Sequence, residues 1–320
     1  MSETTGKNIQ IGVSACLLGQ EVRYDGGHRR DNFITDTLGG FFELIPVCPE
    51  SEIGMGTPRE TITLAGDPGA PGLIAPDSGR NWTQEMGDWS NNRSRELAGE
   101  DLCGFVFKKN SPSCGLYKVP VIQENGETLP LGRGFFAASF VRFYPLVPVE
   151  DEERLSDAGL RENFLVRVFA YQRVKEVFSG VWQSGAIEDF HNREKHLLLA
   201  HSPQHYDELC RLIADLRDFR PAAFHEQYLS LYMKALSAKA TMSQHMDTLQ
   251  DITSHLRGKL SSEEQRRLIE VIEDFRGGGC TLAEPVGLLR SYFEMHQVHD
   301  MTDLSYLNPY PPELMNCPAE

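Results

Sequence analysis

Two patterns of apolar residues divide the chain. Up to residue 150, short apolar runs alternate with loops rich in Gly and Pro and with a few helical stretches. Three of these runs, Ile9–Ser14, Phe42–Val47 and Leu102–Lys108, have the length and composition of buried strands. Strands that alternate with helices predict an α/β domain over residues 1–150, with a doubly wound (Rossmann-like), mainly parallel sheet.

Four other segments refine this prediction. Asp31–Gly40 and Trp82–Leu97 have helical composition and spacing, whereas Phe135–Phe143 is compatible with a helix or a strand. Pro148–Leu155 is highly charged, which makes it a candidate linker.

Beyond residue 150 the apolar spacing becomes helical. In Leu160–Gly180 apolar residues recur at helical intervals, and the final glycine is a natural stop. Proline in the first turn and the spacing of a capping box indicate further helix starts, at Ser202-Pro203, Pro221, Ser261 and Pro285. No second set of strands is apparent, so residues 151–320 are predicted to be all-α.

Composition limits the classes of protein that fit. No apolar stretch approaches the roughly 20 residues that span a bilayer, and MSETTGKNIQ lacks a signal core, so a cytoplasmic protein is expected. The net charge of −15 lowers the expectation of generic nucleic-acid binding. In a reducing compartment, seven cysteines predict metal ligands, nucleophiles or buried apolar groups rather than disulfides. No obligate protein partner is evident.

Three cysteines follow the three predicted strands. Loops beyond the carboxyl ends of parallel strands line the ligand crevice, so Cys16, Cys48 and Cys114 are expected to converge. Three thiolates with no obvious fourth ligand suggest an iron–sulfur cluster with one open iron. Each cysteine alone is also compatible with a buried residue in a turn.

Polar residues near these cysteines are candidate catalytic groups. Glu50, two residues from Cys48, is placed to move a proton, or is a solvated loop acid. Ser111, three residues from Cys114, is placed to contact a group bound at the same metal, or belongs to a polar turn. Arg59 has two open roles, pairing with an anionic group or with an internal carboxylate.

The motifs SACLLG, VRYDG, VCPE, GTPRE and KKNSPSCG, in this order, resemble those of the thiouracil desulfidase family over residues 8–150. The resemblance implies a [4Fe–4S] cluster on Cys16, Cys48 and Cys114, with catalytic roles for Glu50 and Ser111. The remaining chain resembles a DUF1722-type helical domain, and bacterial proteins with this fusion are implicated in removing sulfur from 4-thiouridine in tRNA.

On this basis the predicted reaction converts 4-thiouridine in tRNA to uridine and sulfide without net redox change. The soft thiocarbonyl sulfur is expected to bind the open iron. Candidate substrate or RNA contacts are Ser14, Arg29, Arg30, Lys108, Lys109 and Arg133. The helical domain, residues 151–320, is expected to bind RNA or the substrate. Its candidate basic face is formed by Arg167, Arg173, Lys175, Arg193 and Lys195. Each cation is equally compatible with a solvated surface charge.

Two alternatives remain open. A desulfidase of free thiolated nucleobases or nucleosides, such as thiouracil, needs no second domain, and its activity is expected to be indifferent to salt. A non-catalytic, metal-dependent RNA-binding protein is expected to use a closed site of four ligands, typically with zinc.

Overall fold

The computed structural model describes residues 9–315 and divides into two compact units, with the boundary between Phe164 and Leu165. Besides short 3₁₀ and π helices, the described part of the first unit contains eight strands and three complete α-helices: β1 (Ile9–Ser14), β2 (Phe42–Val47), α1 (Pro49–Glu52), β3 (Thr63–Ala65), β4 (Gly72–Ile74), α2 (Thr83–Glu96), β5 (Gly104–Phe107), β6 (Val119–Ile122), β7 (Thr128–Gly132), α3 (Phe135–Phe143) and β8 (Val149–Asp151). α4 (Ala158–Ser179) crosses the boundary.

A parallel sheet in the order β2-β1-β5-β8 forms the centre of the first unit. This confirms the predicted α/β class with a mainly parallel sheet, and the first two predicted strands have the observed bounds. Ser14 pairs with Val47, so β1 and β2 end side by side. A second, mixed sheet in the order β4-β3-β6-β7 was not expected from the apolar pattern.

Aromatic rings pack one face of the parallel sheet. The rings of Phe105 and Phe107 on β5 stack at 4.1 Å, and Phe140 of α3 lies 4.9 Å from Phe105. A Cβ on Gly12 of β1 would lie 2.2 Å from the Phe105 ring, so only glycine leaves room for it. Packing of Phe136 and Phe140, one helical turn apart, explains why Phe135–Phe143 is a helix.

The charged segment 148–155 is not a linker. Val149–Asp151 forms β8, which pairs in parallel with β5. Glu150 and Asp151 are buried, and the guanidinium of Arg154 lies 2.7 Å from the Glu150 carboxylate. Pairing of these charges explains how an acidic run becomes an edge strand.

The second unit is helical, as predicted. Beyond α4 it contains α5 (Ser184–His201), α6 (Pro203–Ala214), α7 (Pro221–Ser237), α8 (Met242–Ser254), α9 (Ser262–Gly277), α10 (Ala283–Met295) and α11 (Pro312–Met315). Ser202 caps α6, and Ser261 and Glu264 form the expected capping box of α9. Within residues 9–315, none of the helices is both long and apolar enough to cross a membrane.

Candidate functional site

A cavity of about 440 Å³ lies in the first unit beyond the ends of β1, β2 and β5. Cys16, Cys48 and Cys114 all line it, together with Glu50 and Ser111. All three cysteines are free thiols. The parallel register therefore brings together five residues from three segments that are distant in sequence.

Each cysteine is positioned by local backbone structure. Cys16 lies in a single 3₁₀ turn, Ala15–Leu18, directly after β1. Cys48 is the residue before α1, and Pro49 occupies the first position of that helix. The backbone N–H of Cys48 donates a hydrogen bond of 3.1 Å to the Glu52 carboxylate. Cys114 lies in the loop between β5 and β6, and its N–H donates to Ser111 Oγ over 3.0 Å.

The Cys114 loop is fixed from both sides. The N–H of Gly134 donates to the carbonyl of Gly115, and that of Phe136 donates to the carbonyl of Ser113. A Cβ on Gly134 would lie 2.5 Å from the carbonyl of Ser113. Residue 134 must therefore be glycine for α3 to approach the loop this closely.

The electrostatics of the cavity disfavour free thiolates. Burial, followed by the negative charge of Glu50, raises the pKa of Cys16 to about 11. The same two causes, in the same order, raise the pKa of Cys48 and raise that of Cys114 well above its usual value. The three thiols therefore need a compensating positive charge to ionise together.

The Glu50 carboxylate is held between a cysteine and an arginine. Its Oε2 lies 3.6 Å from the Sγ of Cys48 and 3.9 Å from Nη2 of Arg59. Both charged side chains are largely buried, and Arg59 Nη1 donates to the carbonyl of Gly56 over 2.9 Å. Of the two roles left open for Arg59, the structure shows pairing with an internal carboxylate, that of Glu50.

The predicted substrate contacts are distributed unevenly. Ser14, Arg29, Lys108 and Lys109 line the cavity, whereas Arg30 and Arg133 do not. Ser14 Oγ accepts a hydrogen bond from the N–H of Lys108, so it joins the ends of β1 and β5. Arg30 pairs with Asp36, and Arg133 donates to the carbonyl of Leu116.

Several expected cations are already paired. The ammonium groups of Lys108 and Lys109 form ion pairs with Glu152 and Glu153, which follow β8. In the helical unit, Arg173 Nε lies 2.9 Å from the buried carboxylate of Glu194, and Lys195 pairs with Asp251. Arg173 is thus part of the interior and not of a basic face.

Other lining residues were not singled out from the sequence, notably Arg23, Tyr24 and Asn110. The motif VRYDG contains the first two and was the available signal. Asn110 adopts a left-handed conformation, with φ of 58°. Within residues 9–315, no three His, Cys, Asp or Glu side chains are arranged closely enough to hold a single metal ion.

Comparisons with known proteins relate segments of both units to known families. Residues 11–152 match the 2-thiouracil desulfurase family, and residues 195–311 match a family described as a protein of unknown function, DUF1722. YbgA of Escherichia coli K12 is 24% identical over 47% of this chain and 89% of its own length. YbbK of Bacillus subtilis 168 is 31% identical over 32% of this chain and 71% of its own length.

One solved structure is also similar, that of TudS, a [4Fe-4S]-dependent thiouracil desulfidase. It is 29% identical, with a TM-score of 0.39, over 46% of this chain and 93% of TudS. The family match begins within β1, extends through β8 and includes all three cavity cysteines. Through residues 11–152, the chain belongs to the 2-thiouracil desulfurase family.

Proposed function

We propose that this protein is a desulfidase that replaces the thiocarbonyl sulfur of a thiolated pyrimidine with oxygen, using a [4Fe–4S] cluster held by Cys16, Cys48 and Cys114. The observation that carries the proposal is the convergence of three thiols and one carboxylate in a single cavity. Membership of the 2-thiouracil desulfurase family supports the same chemistry.

The donor set fits the cluster. Soft thiolates select iron–sulfur clusters, and each cysteine of a [4Fe–4S] site binds a different iron, so the thiols need not converge on one ion. Iron also supplies the positive charge that these buried thiols need to ionise. A cluster held by Cys16, Cys48 and Cys114 would supply a Lewis acid for a soft thiocarbonyl sulfur at the iron without a cysteine ligand.

Glu50 is proposed to be the general base. Its carboxylate lies 3.6 Å from the Sγ of Cys48, so it is next to the proposed cluster site. It would accept one proton from the attacking water and pass it to the departing sulfur, while the second proton leaves the added hydroxyl as the C=O bond forms and the C–S bond breaks. Thiocarbonyl and water then give carbonyl and hydrogen sulfide without redox change. Arg59, whose Nη2 lies 3.9 Å from the same carboxylate oxygen, restrains the carboxylate.

Ser111 is proposed to orient the water or the ring. Its Oγ accepts hydrogen bonds from the N–H groups of Ser113 and Cys114, at 3.2 and 3.0 Å. Since both of these bonds use oxygen lone pairs, the hydroxyl proton remains available as a donor to a bound ligand. The same residue therefore shapes the Cys114 loop and offers a polar contact.

For the substrate we propose 4-thiouridine in tRNA. Two observations support a nucleic acid: the exposed Arg29 lies on the cavity wall, where it is available to a phosphate, and a second helical unit accompanies the catalytic one. Unstacking a uridine from an RNA stem costs a few kcal/mol. Contacts between the helical unit and the surrounding RNA would offset that cost. A free thiolated base or nucleoside requires neither feature.

The test is anaerobic reconstitution followed by iron and sulfide analysis. The loaded protein is then incubated with thiolated tRNA and, separately, with free 4-thiouridine, and released sulfide is measured. Sulfide from tRNA supports the full proposal. Sulfide from the free nucleoside alone would reject the RNA substrate, and a zinc-loaded protein without iron would reject the desulfidase chemistry.

A further inference from the structure

The cavity wall carries one aromatic ring. Among the lining residues in the described range, Tyr24 is the sole aromatic side chain, and it is 43% exposed. Large aromatic side chains tend to be buried in this unit, as Phe105, Phe107 and Phe136 are. An exposed ring on a concave surface offers a π-face to a ligand.

The backbone of Tyr24 is firmly held although its ring is exposed. The turn that carries it is closed by hydrogen bonds from the N–H of Gly26 to the carbonyl of Arg23, and from the N–H of Arg23 to the carbonyl of Gly27. The carbonyl of Tyr24 accepts a hydrogen bond of 2.9 Å from the N–H of Arg59. This bond ties the turn to the residue that restrains Glu50.

One face of the ring has a cation beside it. The guanidinium carbon of Arg23 lies 5.2 Å from the ring centroid, and Arg23 Nε lies 3.5 Å from the carboxylate of Asp25. This contact restrains the ring, and the exposed part of the ring remains accessible to a planar ligand. The Tyr24 hydroxyl forms no hydrogen bond to any residue from 9 to 315.

We infer that Tyr24 is a substrate-binding residue on which the pyrimidine ring of the substrate stacks. The inference rests on the proposed function and adds the residue that recognises the base. Stacking of a base on an aromatic side chain is sequence-tolerant and contributes mainly to binding. Loss of one such contact weakens binding by about 5- to 150-fold.

The experiment compares Tyr24→Ala, Tyr24→Leu and Tyr24→Phe with the wild-type chain, each reconstituted to equal iron content. KM and kcat are measured with a thiolated pyrimidine nucleoside, and the Kd of uridine, the desulfurised product, is measured by calorimetry. Phe143→Ala is the matched control, because Phe143 is an aromatic residue of comparable exposure outside the cavity.

We expect Tyr24→Ala and Tyr24→Leu to raise both KM and the Kd of uridine at least 5-fold, with kcat within about 2-fold of wild type. Tyr24→Phe, which keeps the aromatic ring, should retain the wild-type values of both constants. Unchanged constants in Tyr24→Ala and Tyr24→Leu, while the wild type releases sulfide, would overturn the inference alone. Absence of sulfide release by the wild type from both the nucleoside and thiolated tRNA would instead reject the proposed function.

Discussion

The carboxylate of Glu50 lies 3.6 Å from the thiol sulfur of Cys48. Their positions two residues apart, with Pro49 between them at the start of α1, direct both side chains to the same cavity. At this separation Glu50, the proposed proton-transfer group, is adjacent to Cys48, a proposed cluster ligand, but the two residues have different proposed roles. Variants of the two residues should therefore have different phenotypes.

Replacement of any cavity cysteine should remove the cluster. Cys16→Ala, Cys48→Ala and Cys114→Ala each delete one thiolate, and we expect loss of the brown colour, of bound iron and of sulfide release. Cys280→Ala is the control, because Cys280 lies in the helical unit outside the cavity. Full iron content in any of the three cavity variants would contradict the assigned ligand set.

Glu50→Gln should separate cluster binding from turnover. The amide preserves size but cannot accept the proton of water, so we expect unchanged iron content and a loss of about 10²- to 10⁴-fold in kcat. Glu43→Gln, on the exposed part of β2, removes the same charge away from the cavity and should retain wild-type kcat. Wild-type turnover by Glu50→Gln would exclude the general-base role.

The sequence was sufficient to predict the strands that precede the three cysteines, because buried strands of this length have a clear apolar pattern. β1 and β2 have the predicted bounds, and β5 occupies the centre of Leu102–Lys108. The parallel register then brings together thiols more than 30 residues apart.

Other features depend on tertiary contacts that a local pattern does not contain. β3 and β4 have only three residues each, which is too short for an alternating apolar pattern to be recognised in the sequence. β8 is acidic, and its burial depends on Arg154. The pairing of Lys108 with Glu152 likewise requires β5 and β8 to be neighbours, which is a property of the sheet order.

Gly134→Ala should disturb the Cys114 loop. The added Cβ would lie 2.5 Å from the carbonyl of Ser113, so the loop or α3 must shift, at a cost of about 1–3 kcal/mol. We expect a lower Tm and reduced iron content after reconstitution. Gly87→Ala, in α2 with open space around the added Cβ, should instead stabilise the chain by up to about 1 kcal/mol. Equal behaviour of the two variants would contradict the close packing of α3 on the loop.

Acidification should destabilise the helical unit through His191. Burial lowers the pKa of His191 to about 4, below the value of about 6.5 expected in the unfolded chain. Since the unfolded state takes up the proton first, stability is complete above pH 6.5 and falls as the pH drops toward 4. The loss from this residue is at most about 3 kcal/mol.

His191→Gln should therefore flatten the decline of Tm between pH 6.5 and 5. Some slope should remain, because burial also lowers the pKa of His245 to about 4. The exposed His299, changed to Gln, provides the control and should leave the profile unchanged. A profile identical to wild type for His191→Gln would show that this histidine does not contribute to acid sensitivity.

Arg29 should distinguish an RNA substrate from a free base. Its side chain is exposed on the cavity wall, and its backbone N–H is fixed to the carbonyl of Cys16 over 2.9 Å. A phosphate contact here predicts that Arg29→Ala weakens tRNA binding at every salt concentration and lowers the salt slope by about 1, with little effect on 4-thiouridine. Arg30→Ala is the matched control, since Arg30 pairs with Asp36 outside the cavity. Equal salt slopes for both variants and the wild type, measured by filter binding, would remove Arg29 from the RNA contacts.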